Sequence, residues 1–126
     1  MAATAIVRLY GEVTGLGNDN KISCYALLSD TPTQVSGPVI QALTTTASQL
    51  DLISLTSGQP VMVIIKALDG GVYVNPVSSS GLVSECLYIP EGQANLYTYG
   101  TSISALPYLQ AASSTVNVEY LVVGVT

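Results

Sequence analysis

The stretch VMVIIKALDGGVYV, residues 61–74, decides which fold class this chain can adopt. It opens with five consecutive apolar residues and closes with a second apolar run, and Asp69-Gly70-Gly71 separates the two. Asp-Gly pairs tolerate the positive φ angles of a two-residue type I′ turn, so the pattern predicts a β-hairpin closed at Asp69-Gly70. The alternative is a three-residue loop with a glycine bulge, which changes the register and keeps the hairpin.

The first strand of this predicted hairpin is apolar on both faces. Because side chains alternate along a strand, one set enters the core: Val61, Val63, Ile65 and Ala67. Met62 and Ile64 then point outward beside Lys66, and an apolar outer face is a liability unless something covers it. We expect either the N-terminal segment or a neighbouring subunit to cover it, with Lys66 keeping the uncovered end of the strand soluble before assembly.

Period-two alternation recurs along the chain and is typical of half-buried strands. It is clearest near the C-terminus, where Val116, Val118, Tyr120 and Val122 alternate with mostly polar residues. Further strands are predicted at 6–13, 21–28, 61–68, 71–75, 83–89 and 95–99, with less regular patterns at 39–46 and 50–55. Turn signals rich in Gly, Pro, Asn and Ser separate them at short intervals, which favours an all-β sandwich or barrel.

Composition narrows the possible partners. The 126 residues are 48% hydrophobic and only 9% charged, whereas a typical soluble domain has about 25% charged residues. Low charge suits a protein that lives packed against others, because charged groups are depleted at interface cores. The three cations cannot form a phosphate-binding stripe, so we expect neither nucleic acid nor membrane as a partner. No secretory signal is visible, and we expect a soluble product made in a cytoplasm.

The residue inventory offers little for catalysis, metals or cofactors. Histidine is absent, which excludes histidine-dependent triads and histidine metal sites. Cys24 and Cys86 lack the spacing of a zinc site or a disulfide framework and are predicted to be buried free thiols. Glu85 and Glu91 are the nearest pair of carboxylates for glycoside hydrolysis, but two acids near a loop are usually solvated. We therefore predict no enzymatic activity, no metal and no cofactor.

Tyrosine is the main aromatic resource of the chain, with eight residues. Tyr97 and Tyr99 are predicted to share one face of a strand near a sheet end, with Tyr108 close by in sequence. They could cap a sandwich core with their hydroxyls at the rim, anchor a protein interface, or stack on sugar rings. These three readings remain open at the level of sequence.

Three segments carry a family resemblance. The first is LTTTASQLDLISLTSGQPVMVIIKALDGGVYVNP at 43–76, the second YIPEGQANLY at 88–97, and the third ALPYLQAASSTVNVEYLVVG at 105–124. Together they resemble small decoration, or cement, proteins on the heads of tailed bacteriophages, and phage tail and fibre-base modules look similar. The resemblance implies a β-sandwich of jelly-roll type, often trimeric, that binds the outside of an assembled capsid, and it implies no catalytic residue.

We therefore expect one β domain over 1–126, with a sandwich core at 41–126 and the first 40 residues as an arm or extra strands. The expected function is a virion structural protein on the outer capsid surface that cross-links major capsid subunits, as a homotrimer. A tail or fibre-base component is the first alternative and a carbohydrate-binding module the second.

The predicted interface combines three sets of residues. The N-terminal segment is a natural strap held to a neighbour by strand addition, and Pro38 marks an edge strand or loop. The outward residues of the opening stretch and the tyrosines complete the set. The predicted interface residues are Ile6, Arg8, Tyr10, Val35, Pro38, Met62, Ile64, Tyr97, Tyr99 and Tyr108.

Overall fold

The computed structural model describes residues 4–14, 20–27, 34–50, 59–75, 87–98 and 107–125. The chain divides into two compact units, Met1–Pro32 and Thr33–Thr126. Every regular element in the described ranges is a β-strand, and every strand pairing is antiparallel. The prediction of an all-β protein is therefore confirmed.

The described residues of the smaller unit form a pair of antiparallel strands. Strand β1 (Ile6–Val13) pairs with β2 (Asn20–Leu27) over its whole length, from Ile6 opposite Leu27 to Val13 opposite Asn20. The strands predicted at 6–13 and 21–28 are thus confirmed to within one residue. One edge of β1 is already paired within its own chain, and a strap held to a neighbour could use only the other edge.

In the described residues of the larger unit, eight strands form two four-stranded sheets. The strands are β3 (Gln34–Leu43), β4 (Ser48–Gln49), β5 (Gln59–Ala67), β6 (Val72–Asn75), β7 (Leu87–Ile89), β8 (Ala94–Thr98), β9 (Tyr108–Ala111) and β10 (Val116–Val125). The sheet orders are β3-β10-β5-β8, the large sheet, and β4-β9-β6-β7, the small sheet. The pairs are nested, because β3 pairs with β10, β4 with β9, β5 with β8 and β6 with β7.

The division between the units differs from the predicted one. The larger unit begins at Thr33, so residues 33–40, which were predicted to belong to an arm or to extra strands over 1–40, are part of this unit. The alternating pattern expected at 39–46 is the second half of β3, which starts at Gln34. Of the pattern at 50–55 only Leu50 is described, and it is buried outside a strand.

Both sheets of the larger unit contribute to one hydrophobic core. On β5, Val63, Ile65 and Ala67 are completely buried, as the alternation predicts, while Lys66 is exposed. The side chain of Val61 lies outside the described residues. The core residues are Leu43, Leu50, Val63, Ile65, Ala67, Val72, Val74, Ile89, Leu109, Ala111, Val116, Val118, Tyr120 and Val122.

The prediction of a hairpin closed at Asp69-Gly70 is wrong. Strand β5 belongs to the large sheet and β6 to the small sheet, so residues 68–71 carry the chain from one sheet to the other. Neither Asp69 nor Gly70 has the positive φ that a type I′ turn requires. The loop with a glycine bulge is excluded as well, because β5 and β6 do not pair.

Asp69 does not close a hairpin turn and instead binds a residue far away in the sequence. Its carboxylate accepts hydrogen bonds from the backbone N–H of Asn117 at 2.7 Å and from the Asn117 side-chain amide at 2.8 Å. The backbone N–H of Leu68 donates to the Asn117 carbonyl at 3.0 Å. The crossing between β5 and β6 is therefore tied to the start of β10.

The two glycines of the crossing allow the chain to lie close to neighbouring side chains. A Cβ on Gly70 would lie 2.7 Å from Cγ2 of Val116, and a Cβ on Gly71 would lie 2.7 Å from Cε2 of Tyr88. Cβ atoms essentially never approach other heavy atoms that closely. The Asp-Gly-Gly motif thus lets the chain pass directly against β10 and under the Tyr88 ring.

Strand β3 contains a bulge at Gly37 and Pro38. The pairing of β3 with β10 shifts between Tyr120 and Val122, and the Gly37–Pro38 peptide bond is cis. Gly37 has a φ of 106°, and a Cβ there would overlap the Tyr120 carbonyl oxygen and lie 3.2 Å from the backbone N of Val39. Glycine is required here by both conformation and space.

We predict that Asp69 makes stability depend on pH. The backbone hydrogen bond from Asn117, and then its side-chain hydrogen bond, lower the pKa of Asp69 below its ordinary value of 3.8. A lowered folded pKa adds stability that is complete above the unfolded pKa and is lost as pH falls through the folded pKa. Asp69→Asn should melt at a lower temperature than wild type at pH 6, and the gap should narrow below about pH 4.

Thermal melts monitored by circular dichroism between pH 6 and pH 2.5 measure this gap. Glu91→Gln removes one exposed carboxylate from another turn of the same unit and controls for the change in net charge. A gap between wild type and Asp69→Asn that stays constant over the whole pH range would contradict the prediction.

Replacement of Gly37 by alanine should destabilise the larger unit by about 3 kcal/mol or more, because backbone strain and steric overlap add. Gly92 supplies a matched control: its φ is 79° and nothing lies within 4 Å of its Cβ position. Gly92→Ala should cost only the left-handed backbone strain, about 1 kcal/mol. Urea unfolding of the two variants measures the difference, and equal losses would show that the overlap at Tyr120 is unimportant.

Candidate interaction surfaces

The large apolar side chains that stay exposed in the described residues all lie on strands at the edge of a sheet. Each is at least 47% exposed. Strand β3 ends the large sheet, β7 ends the small sheet, and β1 belongs to a two-stranded sheet. Unpaired edges that are also apolar invite pairing with another chain. The exposed residues are Ile6, Leu9 and Tyr10 on β1, Val35 and Ile40 on β3, and Leu87 and Tyr88 on β7.

The hairpin surface consists of Ile6, Leu9 and Tyr10. Alternation along β1 puts Ile6 and Tyr10 on one face with Arg8, which is also exposed, and puts Leu9 on the other. The Tyr10 hydroxyl donates a hydrogen bond to the Glu12 carboxylate, and this bond raises the pKa of Tyr10. The predicted interface residues of β1 are therefore accessible to a partner.

The β3 surface consists of Val35, Pro38 and Ile40, all exposed. Val35 lies opposite Val123 and Ile40 opposite Glu119 on β10. Two residues five positions apart would normally point to opposite faces of a strand, but the bulge shifts the alternation and brings them to the same face. The prediction that Pro38 marks an edge strand is confirmed by the sheet order.

Met62 and Ile64 lie on the outer face of the large sheet. Met62 is only 3% exposed and its neighbour across the sheet, Val123, only 6% exposed, although neither belongs to the core between the sheets. Met62 is thus covered within its own chain, which corrects its assignment to an interface with a neighbouring subunit. Ile64 is half-buried and Lys66 is exposed.

Of the three tyrosines predicted to act together, the two that the structure describes, Tyr97 and Tyr108, lie on different sheets. Tyr97 lies on β8 of the large sheet, packs against the core and accepts a hydrogen bond from the Asn95 amide at 3.2 Å. Burial raises the pKa of Tyr97, and the hydrogen bond from Asn95 opposes that shift. Tyr108 lies on β9 of the small sheet, and Tyr99 lies outside the described residues. For Tyr97 the core-capping alternative agrees with this position.

The structure instead pairs two tyrosines that the sequence reasoning missed. Tyr73 on β6 lies opposite Tyr88 on β7, with ring centroids 5.2 Å apart and planes inclined at 46°. Both residues alternate with buried positions, Val72 and Val74 around the first and Ile89 after the second. That alternation was visible in the sequence, but the pairing of their strands was not.

No family model, curated protein or solved structure matches this chain. In the part of the chain that the structure describes, no helix is long and apolar enough to cross a membrane, and no group of three or more acidic or cysteine side chains could hold a metal ion. Glu91 is exposed in the turn between β7 and β8. Glu85 and Cys86 lie outside the described residues, as does the side chain of Cys24. Function must therefore be argued from the surfaces themselves.

Tyr97→Phe should lower the free energy of unfolding by about 1 kcal/mol, because the half-buried Asn95 amide loses its acceptor. Tyr10→Phe is the matched control at an exposed site and should change stability by less than about 0.5 kcal/mol. Urea unfolding of both variants tests the contrast. If Tyr97→Phe has the same free energy of unfolding as wild type, the hydroxyl does not help to hold Tyr97 against the core.

Proposed function

We propose that this protein is a non-enzymatic virion structural protein that decorates a bacteriophage capsid and stabilises it by cross-linking major capsid subunits. The observation that carries the proposal is the edge position of all large exposed apolar side chains in the described residues. A chain that functions alone normally protects such edges with charges, bulges or covering segments. Here β1 and β3 carry accessible apolar side chains beside an edge that no other described strand pairs, and in β3 the bulge at Gly37 and Pro38 interrupts that edge at one point only.

Edge strands of this kind suit assembly by strand addition. A partner strand gains main-chain hydrogen bonds along the edge, and apolar side chains on alternate positions give specificity. The hairpin surface and the β3 surface each offer two or three such side chains beside an open edge. The low charge of the chain further lowers the desolvation cost of such contacts.

We further propose that the larger unit is a β-sandwich of jelly-roll type. Eight strands in two four-stranded antiparallel sheets, paired in nested order from the outermost strands to the innermost, support this assignment. Both sheets also contribute to the same core. Jelly rolls occur in viral capsid proteins and in lectins, so the architecture is compatible with the proposal and does not single it out.

The proposed partners are the major capsid protein and further copies of this chain, at the outer surface of the virion. A homotrimer would present each surface three times, and linked contacts of modest strength bind a repeated lattice far more tightly than a single contact. The resemblance of residues 43 to 125 to decoration proteins supports both partners. A tail or fibre-base protein would need the same kind of surface in a different place on the particle.

Capsid shells that lack this protein provide the direct test. Wild type should sediment with such shells, and light scattering should give a mass about three times the 13.0 kDa of one chain. Leu9→Ser/Tyr10→Ser on the hairpin surface and Val35→Ser/Ile40→Ser on the β3 surface should each weaken shell binding about tenfold or more. Their thermal melts should stay close to wild type, because the replaced side chains are exposed.

Glu91→Gln, at an exposed position in the turn between β7 and β8, is the control and should leave shell binding unchanged. Labelled electron microscopy of intact particles then distinguishes head from tail, since the proposal requires many copies spread over the head. A monomer that fails to bind shells, or label confined to the tail, would refute the proposal.

A further inference from the structure

The outer face of the small sheet has a chemistry unlike the apolar edges. None of its four strands contains a charged residue: their sequences are Ser48-Gln49, Val72–Asn75, Leu87–Ile89 and Tyr108–Ala111. The strand register places two rows across the sheet, each made only of tyrosine and amide side chains. We call these rows the tyrosine face: Gln110, Tyr73 and Tyr88 in one row, and Gln49, Tyr108 and Asn75 in the other.

The Tyr88 ring lies across the sheet instead of standing up from it. Tyr88 is opposite Tyr73, yet the far end of its ring reaches Gly71, which precedes Tyr73 by two residues and lies just before strand β6. Gly71 has no side chain, and any Cβ there would meet the ring. Tyr88 as a whole residue remains 49% exposed in this position. It therefore presents a flat aromatic surface to solvent, with Tyr73 inclined beside it at 5.2 Å.

Flat aromatic rings surrounded by amides match the chemistry of a neutral sugar. The negative face of a tyrosine ring attracts the weakly positive C–H groups on the apolar face of a pyranose. Amide and phenol groups can both donate and accept hydrogen bonds, as sugar hydroxyls do. An acidic or basic ligand would find no opposite charge on the strands of this sheet.

We propose that the tyrosine face binds a neutral saccharide, with the Tyr88 ring as the stacking platform. Tyr73 supports the edge of that platform, and Gln110 and Tyr108 supply hydrogen-bonding groups beside it. Each row crosses three strands, and because the rows are staggered they reach together over all four strands, so their Cα positions span about 7 by 14 Å. One or two sugar rings cover that area. This site is independent of the proposed capsid contacts on β1 and β3.

The test uses the full-length protein and three neutral probes: hexasaccharides of glucose, of mannose and of N-acetylglucosamine. Polygalacturonate is the anionic comparison and should not bind. Because the chain has no tryptophan, tyrosine emission reports contact with the rings, and isothermal titration gives the affinity. At least one neutral probe should bind, and Tyr88→Ala should weaken that binding on the order of tenfold.

Two further variants separate stacking from other roles of Tyr88. Tyr88→Phe keeps the ring and should stay within about threefold of wild type. Gly71→Ala displaces the ring without removing it and should weaken binding as Tyr88→Ala does. Tyr10→Ala is the control, since Tyr10 is an exposed tyrosine in the other unit and should bind sugar normally. If Tyr88→Ala melts well below wild type, Tyr88→Phe and Gln110→Ala carry the test, with Gln110→Ala weakening binding.

Three results would overturn the proposal: no binding of any neutral hexasaccharide at millimolar concentration, unchanged affinity in a folded Tyr88→Ala, or unchanged affinity in both Gly71→Ala and Gln110→Ala. Loss of shell binding by Tyr88→Ala without sugar binding by wild type would assign the face to a protein partner instead. Failure of the capsid proposal is seen separately, in the shell binding of the β1 and β3 variants.

Discussion

The larger unit depends on how the chain crosses between its two sheets. At the end of β5 the chain leaves the large sheet, and the Asp69 carboxylate attaches that departure to Asn117 at the start of β10. The crossing from β9 to β10 lies alongside, where the N–H of Ala112 donates to the carbonyl of Gly71 at 3.0 Å. Because both crossings are joined by hydrogen bonds at the same end, the two sheets are held with their apolar faces toward a common core.

The described residues carry two kinds of surface. The edges at β1 and β3 carry exposed aliphatic side chains, which favour another polypeptide as a partner. The outer face of the small sheet carries tyrosines and amides without charge, which favours a ligand rich in hydroxyl groups.

Sequence periodicity predicted most of the strands and the buried side of β5, because alternation records the environment of each side chain locally. Periodicity and turn motifs gave a wrong prediction at Asp69-Gly70, where a motif typical of a hairpin connects one sheet to the other. The partner of Asp69 is 48 residues away, so no local window contains it. The prediction for the tyrosines was incomplete for the same reason. Alternation shows which neighbours share a side of the strand with Tyr97, but only the strand order shows that this side points into the core. The short strands β4 and β9 hold too few residues for a pattern.

The nested pairing also sets the order in which the unit can fold. Strands β6 and β7 are the innermost pair, whereas β3 pairs with β10, so the longest chain closure joins the first strand of the unit to its last. Such non-local contacts must overcome the loop-closure entropy of nearly the whole unit, and proteins dominated by them fold in milliseconds to seconds. During synthesis β5 cannot be flanked on both sides until β10 has left the ribosome. Until then its continuous apolar stretch is exposed, and the growing chain is most prone to aggregation in that interval.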